Sequence, residues 1–264
     1  MRLNLTTVSP EEARKQIRDG HWKQPTAGIA NGFIQANLAV LPKELAFDFL
    51  LFCQRNQKPC PIIDVTEVGS VIPKLAAPNG NIMTDIPKYR IYKHGELVDE
   101  VQDATGYWRT DMVGFLIGCS FTFEEALLNN HIPIRHIEEN CNVPMYETNI
   151  ECVKSGMFEG PMVVSMRPMK EADAIRAIQV TSRFPSVHGA PVHLGNPEKI
   201  GIKDINKPEF GDAVTIKDGE VPVFWACGVT PQAVAMRAKP EIMITHAPGH
   251  MFITDVLNEQ YAIM

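Results

Sequence analysis

No segment of this sequence approaches the roughly 18 uncharged apolar residues that a membrane-spanning helix requires. The opening residues, Met1-Arg-Leu-Asn-Leu-Thr-Thr, turn polar at once and lack the apolar stretch of a secretory leader. Positive charge is also in deficit. Lys and Arg number 25 against 31 Asp and Glu, a net charge of −6. That balance gives no electrostatic grip on a phosphate backbone, so nucleic acid is excluded as an expected partner. Cys-x-x-Cys is absent among the six cysteines, Cys53, Cys60, Cys119, Cys141, Cys152 and Cys227. In a chain of 264 residues they read as free thiols of a reducing cytoplasm, not as a disulfide framework. Gly-x-x-x-x-Gly-Lys-Ser/Thr, Gly-x-Gly-x-x-Gly and His-Glu-x-x-His are missing too. ATP, NAD and zincin-type chemistry are disfavoured, and the expectation is no cofactor and no resident metal.

What is present is an ordinary globular composition, 45% apolar and 21% charged, in one compact unit. The 20 prolines lie within motif-like segments instead of a linker, which points to many fixed loops. Ser9-Pro10-Glu11-Glu12 marks a helix start, with Gly20 closing a short, charged surface helix. Pro42 opens a second helix to about Asn56, with Leu45, Ala46, Phe49, Leu50 and Cys53 as its buried stripe. Strands are expected over Cys60–Thr66 and Tyr89–Tyr92.

Three later segments repeat one pattern of apolar strand, tight turn and helix. They are Met112–Ile117 with Gly118-Cys119-Ser120, Pro161–Met166 with Arg167-Pro168, and Val221–Cys227 with Gly228-Val229-Thr230. Helices follow from about Phe123, Glu171 and Pro231, the first through a Thr122/Glu125 capping box and the last with Thr230 as N-cap. A further strand, Glu241–Thr245, completes a strand–helix–strand unit. The fold class expected is α/β, a mainly parallel or mixed sheet flanked by helices, with a second smaller α+β subdomain around 60–100 and 190–220. In such sheets ligands sit at the carboxyl ends of strands, where all three turns would lie.

Candidate chemistry gathers in loops. His188 and His193 lie in Arg183-Phe-Pro-Ser-Val-His-Gly-Ala-Pro-Val-His, and His246 and His250 in Thr245-His-Ala-Pro-Gly-His. Imidazoles in such loops suit acid/base work, although each could equally cap a turn. Gly118, Cys119 and Ser120, and likewise Gly228 and Thr230, stand where open helix N–H groups favour an anion. Cys119 or Ser120 could be a nucleophile, but no Gly-x-Ser-x-Gly elbow surrounds them. Arg167 and Arg183 are candidate carboxylate grips, with Arg109 a weaker one; Asp85 and Glu124 are candidate acids.

These blocks carry a family resemblance. Gln35-Ala-Asn-Leu, Phe52-Cys-Gln-Arg-Asn, Thr84-Asp-Ile-Pro, Gly118-Cys-Ser-Phe-Thr-Phe-Glu, Val163-Val-Ser-Met-Arg-Pro, His188-Gly-Ala-Pro-Val-His, Pro222-Val-Phe-Trp-Ala-Cys-Gly-Val-Thr-Pro-Gln and Thr245-His-Ala-Pro-Gly-His occur in the order found in the D-glutamate cyclase family, a family of hydro-lyases. The chain resembles that family from about Gly28 to near its end. The resemblance implies an α/β fold with two subdomains and a lyase that eliminates water from a small carboxylate or amino acid. Its eukaryotic members are associated with conversion of D-glutamate to 5-oxo-D-proline. One departure is Met83, where the family tends to carry arginine; if that arginine grips a carboxylate, the substrate here differs. For such a reaction His188 and His246 are the acid/base candidates, with His250 and Glu124 as further catalytic candidates. Arg167 is the carboxylate anchor, Arg183 and Asp85 are substrate contacts, and the turns at Gly118–Ser120 and Gly228–Thr230 are oxyanion cradles. Two alternatives stand beside this reading: a non-catalytic carboxylate-binding module, and metal-assisted hydration or dehydration through His188, His193, His246 or His250. The expected partner is a small-molecule carboxylate, in a cytoplasmic protein compatible with homo-oligomerisation.

Overall fold

A computed structural model describes residues 5–263, so the opening Met1-Arg-Leu-Asn of the leader reading lies outside the described residues. Helix α1 (Pro10–Arg18) starts as its sequence dictates: Ser9 Oγ accepts the Glu12 N–H at 3.2 Å, and Gly20 turns the chain away at φ 73°. It is more than a surface helix, because Ala13, Arg14 and Ile17 are buried, the two apolar ones beside Ile253. Strand β1 (Phe33–Pro42) follows, buried from Ile34 onward. A strand covered on both faces shows no alternation, which is why its sequence does not announce it. Helix α2 (Lys43–Arg55) begins after Pro42 as expected. Its inward face is Phe49, Phe52 and Cys53, while Leu50, placed in the stripe by sequence, is 39% exposed.

The chain continues through β2 (Ile62–Val65), β3 (Tyr89–Lys93) and β4 (Glu96–Val101). His94 and Gly95, at φ 51° and 85°, make the tight hairpin turn between β3 and β4. Next come β5 (Met112–Gly118), α3 (Phe121–Asn129), α4 (Arg135–Glu138), β6 (Met145–Glu151), β7 (Pro161–Lys170) and α5 (Glu171–Thr181). The last elements are β8 (His193–Leu194), β9 (Glu220–Ala226), α6 (Val229–Ala238), β10 (Met243–His246) and β11 (Phe252–Leu257).

Two sheets form, one ordered β2-β5-β1-β10-β3-β4 with β11 also on β1, the other β6-β7-β9-β8. Every strand pairing within them is antiparallel, which overturns the expected parallel or mixed sheet. The strand–helix–strand rhythm misleads for a physical reason. Helix α6 leaves β9 in one sheet and delivers β10 to the other, so it is no crossover within a sheet. The segments around 60–100 and 190–220 likewise fall in different sheets.

Arg167-Pro168 is not a turn, because β7 runs straight through it to Lys170. Proline is tolerated there because Pro168 lies beyond the stretch of β7 that β6 covers and faces another proline, Pro222, on β9. The largest core cluster joins both sheets, with Leu38 and Ile244 from the first and Val223 and Trp225 from the second, closed by Phe123 and Leu127 of α3 and Ala174 and Ala177 of α5. Each such large apolar side chain contributes about 1.5–3 kcal/mol on burial, so the two sheets are bound by one continuous interior.

Candidate active site

Strand β1 changes neighbours midway. On one side β5 accompanies it from Ala36 to Pro42; on the other, β11 pairs with Phe33–Ala36 and β10 with Ala39 and Val40. At the break, side chains replace the missing ladder. Leu38 N–H donates to His246 Nδ1 at 3.1 Å, and Gln232 Nε2 donates to the Leu38 carbonyl at 3.2 Å and to His246 Nδ1 at 2.8 Å. Backbone groups released from a buried sheet must find such partners. Next along the strand, Asn37 Nδ2 donates to the Gly118 carbonyl at 2.8 Å, the last residue of β5.

Around Gly118 the expected turns do meet. A Cβ on Gly228 would stand 2.2 Å from Asn37 Nδ2 and 3.0 Å from the Gly118 oxygen; a Cβ on Gly118 would stand 2.9 Å from Val187 Cγ1. Glycine is required at both positions by the closeness of these segments. The turns are not open cradles, however. The Thr122 N–H goes to the Cys119 carbonyl, those of Phe123 and Glu124 to the Ser120 carbonyl, and that of Phe121 to the Cys119 sulfur. At α6 the Thr230 N–H takes the Cys227 carbonyl and the Val229 N–H the Cys227 sulfur. Burial pushes the Cys119 thiol up to about 12 and the Cys227 thiol up to about 11, so neither is a thiolate at neutral pH.

The capping expectations fail for the same reason of local crowding. Helix α3 begins at Phe121 with Ser120 before it, and the Thr122 hydroxyl is buried without a partner. Helix α6 begins at Val229, and the Thr230 hydroxyl is used to stitch it to β7, accepting the Val163 N–H at 3.0 Å.

Arg167, fully buried, is the charged centre of the seam between the sheets. Its Nε donates to Glu124 Oε1 at 3.0 Å, Nη1 to Ser165 Oγ at 2.9 Å, and Nη2 to Ser120 Oγ at 3.1 Å and to Glu124. The guanidinium carbon lies 5.1 Å from the Phe123 ring centre and 5.4 Å from that of Trp225. Burial alone would raise the Glu124 carboxyl, but the Arg167 charge and His136, whose Nε2 lies 3.4 Å away, bring it down to about 2. Glu124 is therefore ionised at neutral pH and does not serve as a proton donor in this arrangement.

His188 sits in the left-handed region at φ 83°, a strained backbone for a side chain of its size. Its Nδ1 is 2.9 Å from the Lys58 carbonyl. A carbonyl only accepts, so Nδ1 carries the hydrogen and Nε2, buried and without a partner, is a bare acceptor. Burial lowers its pKa to about 4, opposed by carbonyls of Lys58 and Gly118 and assisted by the Arg167 charge. Burial likewise lowers His246 to about 4. Both rings are neutral at pH 7.

The remaining expected site residues are engaged elsewhere. His250 holds the Pro248 carbonyl through Nδ1, with its pKa lowered by burial. His193 lies against Phe224 and contacts the Asn196 carbonyl. Asp85 pairs with Arg18 of α1, and Arg183 pairs backbone-to-backbone with Ile263. Arg109 bridges Asp111 and Glu241 near the surface. Met83 is wholly buried in the large core cluster. Among the described residues, no three His, Cys, Asp or Glu side chains gather in a way that could hold a metal ion. No helix among them is long and apolar enough to cross a membrane.

Sequence reasoning gave no role to Asn37, His136, Ser165 or Gln232. Asn37, Ser165 and Gln232 lie inside the quoted blocks, in Gln-Ala-Asn-Leu, Val-Val-Ser-Met-Arg-Pro and Thr-Pro-Gln; for Asn37 and Ser165 an uncharged polar group amid apolar strand residues is the available signal, and for Gln232, on α6, there is none.

The sequence profile of the D-glutamate cyclase family matches residues 113–255, from β5 to β11, and so includes the turns and all four loop histidines but not β1. A protein of Geobacillus kaustophilus named "Putative hydro-lyase" is 68% identical over 257 residues, 97% of this chain and 98% of that one. One of Bacillus subtilis with the same description is 66% identical over 97% of this chain and 100% of its own length. One of Stutzerimonas stutzeri is 62% identical over 99% and 100%. A solved nitrogen repressor-like protein of Methanococcus jannaschii covers 89% of this chain and 91% of its own at 10% identity and a TM-score of 0.39, too loose a likeness to carry an argument.

Proposed function

The chain belongs to the D-glutamate cyclase family, and from that membership and the seam's geometry we propose that it eliminates water from a small amino acid or carboxylate, cyclising D-glutamate to 5-oxo-D-proline. The observation that carries this reading is the buried His188 imidazole, whose Nε2 makes no hydrogen bond while Nδ1 holds the Lys58 carbonyl. Buried polar atoms are nearly always paired, and an exception asks for a ligand.

In this reaction a C–N bond forms between the α-nitrogen and Cδ, and a Cδ–O bond breaks. The ammonium gives up two hydrogens in all and the side-chain carboxylate one oxygen, which together leave as water. His188 Nε2 takes an ammonium proton and returns it to the departing oxygen, work worth typically 10²–10⁴-fold. Burial weakens His188 as a base. Substrate carboxylates beside it act in the opposite sense, since a nearby negative charge favours the protonated ring. Arg167 anchors the carboxylate: its contacts to the neutral Ser120 and Ser165 hydroxyls yield to substrate oxygens while Glu124 keeps the guanidinium in place. His246, neutral, supplies a hydrogen-bond donor to the developing oxyanion.

Purified protein incubated separately with D- and L-glutamate, with 5-oxoproline followed by proton NMR, tests this. Product from the D enantiomer is expected, falling about 10²–10⁴-fold in His188→Asn, a residue that tolerates the left-handed backbone. Full turnover by His188→Asn would remove the proposed base. Binding of D-glutamate without product over long incubation would make the chain a binding module instead.

A further inference from the structure

We infer that Gln232 is a positioning residue that, together with the Leu38 amide, holds His246 in the tautomer with hydrogen on Nε2, so that His246 acts as a neutral donor and not as a base. The inference rests on the reading of His246 as part of the site. Its warrant is the chemistry of the groups that meet Nδ1. A backbone N–H can only donate, so the Leu38 amide at 3.1 Å requires a lone pair on Nδ1. A backbone carbonyl can only accept, so the Gln232 atom within 3.2 Å of the Leu38 oxygen must be the amide nitrogen, not the amide oxygen. That nitrogen has two hydrogens, one for the Leu38 oxygen and one that shares the single Nδ1 lone pair, at 2.8 Å, with the Leu38 amide. The side-chain amide orientation and the ring tautomer are thus fixed by the same pair of backbone groups.

His188 is set the other way round, because the Lys58 carbonyl requires hydrogen on its Nδ1. The two imidazoles are therefore assigned opposite roles before any substrate arrives: one offers a lone pair at Nε2, the other an N–H. A neutral imidazole held as a donor polarises a carbonyl without having to lose its proton. Gln232 stands in the first half of α6, which anchors it between the two sheets.

Imidazole ¹⁵N NMR of the full chain at pH 7 tests the inference without reference to activity, with signals assigned by loss in His246→Asn and His188→Asn. Wild type should show a pyridine-like Nδ1 and pyrrole-like Nε2 for His246, and the reverse for His188. Gln232→Glu replaces a donor by an acceptor, so His246 Nδ1 should become pyrrole-like and kcat should fall about 10²-fold or more, with KM moving much less. Gln232→Met removes one donor and leaves Leu38; it should make the Nδ1–H form detectable and lower kcat by a smaller factor. A pyrrole-like Nδ1 in wild-type His246 would overturn the inference, as would a Gln232→Met protein with wild-type nitrogen shifts and kcat. If the tautomers are as stated but no variant or wild type turns over glutamate, the functional reading fails and the positioning role stands.

Discussion

Asp85 and Glu124 are both buried carboxylates met by arginine, and both lie in blocks that carry the family resemblance. Around Asp85 both carboxylate oxygens are engaged, and its unfilled neighbour is the buried Arg14 Nε, 3.9 Å from Oδ2. Arg18 donates to the carboxylate twice, at 2.8 and 2.7 Å, the Asn81 N–H at 2.9 Å and the Thr84 hydroxyl at 2.7 Å. Arg18 itself is 44% exposed, so solvent shares the load of its charge. The pair fastens α1 to the loop before β3, and Arg14 of the same helix holds Asp255 and the Ile253 carbonyl of β11. Around Glu124 the partner is an arginine without solvent, packed beside two aromatic rings, in a seam that also contains the unsatisfied His188 nitrogen and the unsatisfied Thr122 hydroxyl. A carboxylate met by a half-exposed arginine and by local backbone and hydroxyl donors is a fastening. One set among unfilled neighbours, at the meeting of two sheets, has the makings of a site.

Removing the arginines should separate the two most strongly. Arg167→Met strands an ionised, buried Glu124 and should cost about 3–5 kcal/mol in urea unfolding, whereas Arg167→Met combined with Glu124→Gln should recover much of that loss. Equal stability of the single and double variants would mean that the pair is not coupled as its geometry requires.

The pH dependence of stability should trace to the seam as well. The folded-state pKa values of His188 and His246 are depressed to about 4. An unfolded histidine near 6.5 therefore binds its proton first as pH falls, and each ring withdraws up to about 3 kcal/mol of stability between pH 6.5 and 4. Glu124, lowered to about 2, contributes stability above its unfolded value that is lost as pH falls from about 4.5 towards 2. Thermal melts from pH 7 to pH 4 should be flatter for His188→Asn and His246→Asn than for wild type; parallel curves would deny the burial argument.

Smallest should be Arg18→Ala, because Arg18 is half-exposed and screened by solvent while the buried Asp85 keeps the Asn81 and Thr84 donors and Arg14 nearby; about 1 kcal/mol or less is expected by urea titration. A loss as large as that of Arg167→Met would erase the distinction between the two carboxylates.

Local features were the legible ones. Ser9 and Pro10 start α1 through contacts three residues apart, and the His94-Gly95 turn needs only its own backbone. Strand direction was not legible, because β1 and β5 are buried on both faces and so read as the continuous apolar runs usual in parallel sheets. The site was half legible. His188, Arg167 and the Gly118 and Gly228 turns come together, but the expected open helix ends are filled by the chain's own cysteine sulfurs and carbonyls. Asn37 and Gln232 were hidden because their importance comes from a break in β1's pairing some two hundred residues from one of its partners, which no spacing within either segment records.

That break also gives the protein a built-in clock. The Leu38 amide lies in the middle of a wholly buried strand, yet its protection from solvent deuterium depends on one imidazole remaining in place, whereas the amides that bridge β1 and β5 are guarded by a whole ladder. Its exchange rate, read against theirs in the resting protein, counts how often the ring of His246 swings away from the backbone.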